Sequence, residues 1–231
     1  MAIRCIALDY SGTLAFPSKS LTIEDVINVW HQMGEKISES MIADLSTLFN
    51  ASVLKYSCFG GVHAWDELLE PLTAKYSLGV KYDEFSERLW ASSPDSQMHD
   101  SAVQVVRALR EKGYRLFLAS NTRRPASSRL RALKQSNALD FFERTFISST
   151  LGFGKPDPEF YKLIVQAGNC LPRELLFVGD SLVRDVIEPV KHGMNAVWLN
   201  GRKRPGRAPK DIPEIDDVSQ LPALLEKNQW Q

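Results

Sequence analysis

The stretch Ile3-Arg4-Cys5-Ile6-Ala7-Leu8-Asp9-Tyr10-Ser11-Gly12-Thr13-Leu14 is the one around which the chain is organised. A short apolar run containing β-branched residues reads as a buried strand. It stops on Asp9, and a small, turn-forming Ser-Gly-Thr follows. Ligands of open α/β sheets bind outside the carboxyl ends of the strands, and Asp9 stands at such an end. Gly12 permits a tight turn there and a close approach of backbone to ligand. Taken alone, Asp-x-Ser-Gly-Thr reads first as an ordinary strand-to-loop turn. Three later stretches change that reading.

Outward from this strand, residues from about Leu21 to Leu89 read as helix after helix. Thr22, Glu24 and Asp25 make an acidic helix start. Val26, Ile27, Trp30 and Met33 follow at helical spacing, and Gly34 stops the helix. Met41, Ile42, Leu45, Leu48 and Phe49 share a second apolar face, and Trp65, Leu68, Leu69 and Leu72 a third, with Gly60-Gly61 between them. No strand is expected between Phe16 and Ser93. Beyond Ser92-Ser93-Pro94 the pattern alternates. Strands are expected at Tyr114–Ser120, Arg144–Ser148, Glu174–Gly179 and Asn195–Leu199, with helices at Pro125–Ser136, Pro158–Ala167, Leu182–Lys191 and Ser219–Lys227. Strands alternating with helices demand a parallel sheet covered on both faces. The expected organisation is an α/β core of residues 1–16 and 94–231, with residues 17–93 inserted as an α-helical unit. An insert at that point lies over the carboxyl end of the sheet, a natural lid for keeping water from Asp9.

Composition agrees with this and excludes several classes. The chain has 231 residues, 44% of them hydrophobic and 24% charged, which provides for a core of useful size. Lys+Arg and Asp+Glu number 28 each, so no net charge draws the protein to nucleic acid or to an anionic membrane. No apolar run approaches the roughly 20 residues of a membrane span. The first strand follows the initiator directly with no signal-peptide pattern, so the cytoplasm is the expected compartment. Cys5, Cys58 and Cys170 form an odd, widely spaced set that suits buried thiols better than disulfides or zinc.

Three stretches lie at or just past the ends of later strands: Ser120-Asn121-Thr122, Gly154-Lys155-Pro156-Asp157-Pro158, and Gly179-Asp180-Ser181-Leu182-Val183-Arg184-Asp185. Each has a plain alternative, as a helix cap, a solvated lysine or a surface helix position. Together with Asp9 they bring a carboxylate, a hydroxyl, an ammonium and a second acidic pair to one edge of one sheet. That set suits phosphoryl chemistry on a small phosphorylated substrate. Two carboxylates and a backbone carbonyl can hold Mg²⁺, which favours hard oxygen ligands. The metal and Lys155 neutralise phosphate charge so that an anionic carboxylate can attack. Ser120 and the amides near Gly12 can hydrogen-bond the transferring oxygens.

The four motifs, in this order, resemble the haloacid dehalogenase (HAD) superfamily: Asp9-Tyr10-Ser11-Gly12-Thr13-Leu14, Ser120-Asn121, Lys155-Pro156-Asp157-Pro158, and Gly179-Asp180 with Asp185. The resemblance covers the whole core. It implies a Rossmann-like three-layer fold with an α-helical cap of the C1 type. It implies Asp9 as nucleophile, forming an aspartyl-phosphate. It implies Mg²⁺ on Asp9, the carbonyl of Ser11 and Asp180, with Asp185 in support. Thr13 and Ser120 would then orient nucleophile and phosphoryl group, and Lys155 would bridge Asp9 and the phosphate. Gly12, Ser120, Asn121 and Lys155 are the implied substrate-binding positions.

Ser11 departs from the family's phosphatases, which carry a second aspartate there to protonate the leaving oxygen and activate water. Loss of a general acid/base costs about 10²–10⁴-fold. The substrate then has a good leaving group, such as an acyl phosphate, or another residue handles the proton, or the protein binds phosphate without turnover. Phosphonoacetaldehyde hydrolases also lack the second acid and use a cap lysine as a Schiff base, for which Lys55 is the candidate. Dehalogenases work without Mg²⁺ and lack the Gly-Asp of the fourth motif, so Asp180 argues against dehalogenation. Trp30, Trp65 and Trp90 read as packing of the helical unit. Arg123-Arg124 reads as well on the surface as against an anionic substrate. His31, His63, His99 and His192 show no metal-ligand spacing. The basic loop Arg202–Arg207 reads as solvated.

Overall fold

The computed structural model describes residues 2–59, 64–76, 78–203, 205–227 and 230, with 52–59 described by backbone alone. The opening strand is β1 (Cys5–Leu8). Four helices follow: α1 (Ile23–Gln32), α2 (Glu39–Phe59), α3 (Trp65–Lys75) and α4 (Tyr82–Ser92). The rest alternates. It runs α5 (Asp100–Glu111), β2 (Arg115–Ser120), α6 (Ala126–Gln135), β3 (Arg144–Ile147), α7 (Ser148–Leu151), α8 (Pro158–Gly168) and β4 (Leu175–Gly179). A π-helical turn at Leu182–Ile187 continues into α9 (Glu188–Lys191), then β5 (Asn195–Leu199), β6 (Glu214–Ile215) and α10 (Leu221–Lys227).

The strands form one parallel sheet in the order β3-β2-β1-β4-β5-β6. β1 lies inside it, with Leu8 level with Leu118 on one side and Val178 on the other. The chain builds outward from β1 in one direction through β2 and β3, then returns and builds the other way from β4. The carboxyl ends of β1 and β4 therefore flank a topological switch point, the usual binding crevice of such sheets.

Both faces of the sheet are apolar because alternate residues point to opposite sides. Ile6, Leu8, Leu116, Leu118, Leu176 and Val178 pack with Val105, Val106 and Leu109 of α5 and Leu221 of α10. Cys5, Ala7, Phe117, Ala119 and Phe177 pack on the other face with Phe160, Tyr161 and Ile164 of α8. The helical stretch between β1 and α5 has its own apolar cluster, with Val26, Trp30, Leu45, Leu69, Phe85 and Leu89 buried together. Trp30 and Phe85 stack at 5.4 Å between ring centroids. Thr22 caps α1 reciprocally: its hydroxyl accepts from Asp25 N at 3.2 Å, and the Asp25 carboxylate accepts from Thr22 N at 2.9 Å. No helix among the described residues is long and apolar enough to cross a membrane.

The two chain crossings between core and helical stretch are tied by a buried polar cluster. Ser18 Oγ donates to Asp95, and Ser96 N donates back to Ser18 Oγ at 3.0 Å. Arg124 donates to the carbonyls of Ser93 and Lys19, one on each crossing. Arg129 pairs with Asp95 at 3.2 Å and lies over the Tyr10 ring at 3.8 Å. Tyr10 Oη completes the set by donating to Ser96 O at 2.6 Å. Breaking a buried pair by removing one partner costs about 3–5 kcal/mol, because the other charge is stranded. Asp95→Ala should therefore lower the melting temperature by about 10 °C for a chain of this size. Asp95→Ala/Arg129→Met should recover most of it, and a melt of Asp95→Ala within about 2 °C of wild type would show the pair to be slack.

The expected alternation of elements is present, with differences at its margins. Ser148, expected to end β3, starts the single turn α7. The stretch expected as one helix from Leu182 begins as a wider π turn, whose period an apolar pattern does not distinguish from an α-helix. β6, two residues long and paired with β5, is too short to show alternation in sequence.

Candidate active site

Asp9 follows β1 directly and is anchored by its own backbone, Asp9 N donating to Val178 O at 2.9 Å. Its two carboxylate oxygens have different partners. Thr13 Oγ1 donates to Oδ2 at 3.2 Å, and Lys155 Nζ donates to Oδ1 at 2.8 Å. The turn after Asp9 makes the first contact possible: Thr13, Leu14 and Ala15 all donate backbone N–H to Tyr10 O, which curls the chain back over the strand end. Gly12 sits in this turn at φ +97°, and a Cβ there would lie 2.0 Å from Asp180 Oδ2. Only glycine allows both the backbone angle and the approach of Asp180.

Lys155 reaches the site from the loop between α7 and α8. Asn121 fixes that loop from both sides: its Oδ1 accepts from Lys155 N at 2.9 Å and its Nδ2 donates to Lys155 O at 2.6 Å. The ammonium then bridges Asp9 and Asp185, with Asp185 Oδ1 at 2.6 Å. Asp185 is in turn held by Ser181 N, which donates to Oδ2 at 2.9 Å. It reaches the strand end because Gly179 leaves room; a Cβ on Gly179 would lie 2.4 Å from the Asp185 carboxyl carbon. Asp9, Asp180 and Asp185 each offer a carboxylate oxygen within 4.8 Å of the others, and all three residues are buried.

Ser120 ends β2 with its hydroxyl fully buried and no hydrogen-bond partner among the described residues. An unmet buried hydroxyl costs about 1–3 kcal/mol, so a bound acceptor such as a phosphoryl oxygen suits this position. Ser11 lines a cleft of about 370 Å³ that opens between the core and the helical stretch. The nine site positions thus fall into three groups. Asp9, Thr13, Lys155, Asp180 and Asp185 form the charged centre, Gly12 and Asn121 shape it, and Ser11 and Ser120 stand at its edge. Lys55 is described by its backbone alone, within α2, and His63 lies outside the described residues.

The haloacid dehalogenase-like hydrolase family model matches residues 3–189. The chain belongs to this family. Glyceraldehyde 3-phosphate phosphatase of Pyrococcus furiosus is 36% identical over 89 residues, covering 38% of this chain and 37% of that protein. The chain spans between 37% and 54% of the length of the glyceraldehyde 3-phosphate phosphatases it matches. A 2-haloacid dehalogenase from Pseudomonas syringae pv. Tomato DC3000 shares the fold at TM-score 0.69 and 20% identity, over 97% of this chain and 99% of that one. The HAD-hydrolase YfnB from Bacillus subtilis, in a crystal form bound to magnesium, shares it at TM-score 0.61 and 20% identity, over 97% and 99%.

In this HAD-like hydrolase the charged centre has an electrostatic problem with a simple solution. Burial alone would lower the Lys155 ammonium, but Asp185 and Asp9 outweigh it and hold it above its usual value. Asp185 is pushed up by burial and by the nearby Asp9, against the pull of Lys155. The Lys155 ammonium pairs with two of the three buried carboxylates, Asp9 and Asp185. Buried charge needs a partner, and a hard divalent cation fits an all-oxygen donor set of this kind. The residues present therefore suit Mg²⁺, with one carboxylate oxygen from each of Asp9, Asp180 and Asp185 close enough to share an ion.

Several residues that shape the site carry no motif. Trp198 Nε1 donates to Asp180 O at 3.2 Å and so fixes the backbone that carries this carboxylate. Ser148 Oγ accepts from Thr122 N at 2.9 Å and donates to Thr122 O at 3.1 Å, pinning the loop after β2. Trp198 had one signal in sequence, an indole at the end of a strand neighbouring β4, where its N–H must find an acceptor if buried. Arg124 is buried in the tie between the two crossings, so of the two readings open to it in sequence, surface or anionic substrate, the surface one is excluded. Trp65 and Trp90 pack in the helical cluster as expected and also line the cleft.

Proposed function

We propose that this protein is a Mg²⁺-dependent phosphatase that acts on a small phosphorylated molecule through an aspartyl-phosphate on Asp9. The observation that carries the proposal is Lys155 Nζ bridging Asp9 and Asp185 at 2.8 and 2.6 Å, with Asp180 alongside, at the switch point of the sheet. One Asp9 carboxylate oxygen attacks phosphorus, and the bond to the leaving oxygen breaks with its electron pair. Lys155 and the Ser120 hydroxyl stabilise charge on the oxygens of the transferring group. Thr13 keeps the carboxylate rotated for attack. Water then attacks the phosphorus of the aspartyl-phosphate, releasing phosphate and restoring Asp9. Mg²⁺ held by Asp9, Asp180 and the Ser11 carbonyl, with Asp185 in support, would supply charge neutralisation to the phosphoryl group. The helical stretch 17–93 is proposed to act as a cap that encloses the cleft and limits water.

Ser11 sets the substrate's leaving group. Its hydroxyl does not trade protons near neutral pH, and Asp95, the only carboxylate among the described lining residues of the cleft, is tied to Arg129 and Ser18. The leaving oxygen then departs as an anion, which favours acyl phosphates and phosphoanhydrides over alkyl phosphates. The test is phosphate release across leaving groups of graded acidity, with Mg²⁺ and with a chelator. Release should need Mg²⁺ and fall steeply as the leaving group becomes more basic. Ser11→Asp should raise turnover of alkyl phosphates by about 10²-fold by adding the missing acid. If that variant loses activity on every substrate, the leaving-group reading is wrong.

A further inference from the structure

The amino end of β1, away from the charged centre, holds two thiols in contact. Cys5 opens the strand and is fully buried, and Cys170 follows α8 and is part-exposed. α8 ends at Gly168, and Asn169 at φ +41° turns the chain so that Cys170 meets Cys5. Gly168 makes the meeting possible, because a Cβ there would lie 2.9 Å from Cys170 Sγ and 3.3 Å from Cys5 Sγ. The Cys170 side chain hydrogen-bonds Cys5. Cys5 Sγ also donates to Gly168 O at 3.7 Å. Arg115, level with Cys5 on β2, donates to Gly168 O and, at 3.1 Å, to Ala167 O. Its guanidinium thus lies beside both thiols, the electropositive setting in which cysteines react. Burial, and then Cys170, push the Cys5 thiol up to about 12 against the pull of Arg115. Cys5 therefore stays protonated, and the part-exposed Cys170 is the sulfur that a small oxidant reaches first.

We propose that Cys5 and Cys170 form a reversible oxidation site, at which hydrogen peroxide converts the thiol pair to a disulfide that staples β1 to the end of α8. The Cys170 sulfur attacks one peroxide oxygen and the O–O bond breaks. The thiol proton goes to the departing oxygen, which leaves as water, and Cys170 is a sulfenic acid. The Cys5 sulfur then attacks the Cys170 sulfur and the S–O bond breaks. The departing hydroxyl takes the Cys5 proton and leaves as a second water. Two electrons have passed from the sulfurs to the peroxide, and a dithiol reductant returns them. Having Cys5 in contact keeps the sulfenic acid from passing on to the irreversible sulfinic acid. Four residues separate Cys5 from Asp9, roughly 13 Å along an extended strand, so the site works independently of the chemistry at Asp9. The disulfide joins the strand that leads to Asp9 to the helix that follows the Lys155 loop. It closes a loop over most of the chain, which removes much of the unfolded chain's freedom.

The test is to treat the folded full chain with hydrogen peroxide, remove the peroxide, and block free thiols with iodoacetamide in urea. Digestion without reductant should then give two peptides joined through Cys5 and Cys170. The oxidised protein should melt about 10 °C above the reduced one, as expected for closing so long a loop. Dithiothreitol should reverse both changes. Cys170→Ala should lose both, and Cys58→Ala should keep both. Cys5→Ala should leave Cys170 as a sulfenic acid that dimedone captures. The proposal is overturned if both thiols are found blocked by iodoacetamide after peroxide, or if Cys170 is a sulfinic acid with no crosslink. It is equally overturned by a crosslink through Cys58 in place of this pair, or by a rise in melting temperature that survives Cys170→Ala. A Cys5–Cys170 crosslink that leaves the melting temperature unchanged would overturn the staple.

Discussion

Replacing Asp9 with asparagine lowers Mg²⁺-dependent phosphate release by at least about 10⁴-fold and leaves the protein folded. The amide oxygen still accepts from Thr13, so the turn that curls over the end of β1 is kept. Lys155 keeps its second carboxylate, Asp185, at 2.6 Å. What is lost is the charge that makes the oxygen a nucleophile. Because Asp9 is one of three carboxylates crowded at the site, removing its charge also relieves repulsion in the absence of metal. The melting temperature without Mg²⁺ should therefore be unchanged or higher, while the stabilisation conferred by added Mg²⁺ should shrink. Paired rate and melting measurements check both parts. Retention of more than about 1% of wild-type release would remove Asp9 from the role of nucleophile.

Replacing Lys155 with methionine damages both stability and turnover. The side chain is 1% exposed, and its ammonium faces two carboxylates. Methionine fills similar volume and supplies no charge, so Asp185, itself 1% exposed, is stranded. The expected cost is about 3–5 kcal/mol, a fall in melting temperature of about 10 °C. Turnover should drop by about 10²–10³-fold with the loss of a cation aimed at the phosphoryl oxygens. Lys155→Met/Asp185→Asn separates the two effects. It should recover most of the stability, because the stranded charge is gone, and none of the turnover. A double variant no more stable than Lys155→Met would show that Lys155 supports the fold through packing and not by charge.

How far the site was legible in sequence follows from what each residue depends on. Asp9, Ser120 and Asp180 each stand at or just past the carboxyl end of a strand, Lys155 lies in the loop that follows β3 and α7, and the strands are apolar runs that periodicity finds. Given a parallel sheet, those four positions meet at one edge with no further information. The alternation of Ile6 and Leu8 with Cys5 and Ala7 across the sheet, and the helical spacing of Val26, Trp30 and Leu45, follow from residue type alone in the same way. Contacts set by side-chain direction were not legible. Asp185 turned out to be tied to Lys155, a residue 30 positions away, and nothing in the local pattern of Val183-Arg184-Asp185 distinguishes that from a surface helix position. Arg123 and Arg124 are adjacent and chemically identical. Yet one lies on an indole at the cleft, and the other is buried between two chain crossings. The difference comes from Trp65 and Ser93, which approach from a segment distant in sequence.

The central claim is that Asp9 carries the phosphoryl group during turnover. Its most direct test is rapid acid quench of the enzyme with acetyl phosphate and Mg²⁺, followed by mass analysis of the peptide that contains Asp9. The account predicts a phosphoryl adduct on Asp9 that forms before free phosphate accumulates, vanishes as turnover ends, and is missing in Asp9→Asn. Mg²⁺-dependent phosphate release from a fully active enzyme with the adduct on another residue, or with phosphate released as fast from Asp9→Asn, would contradict it.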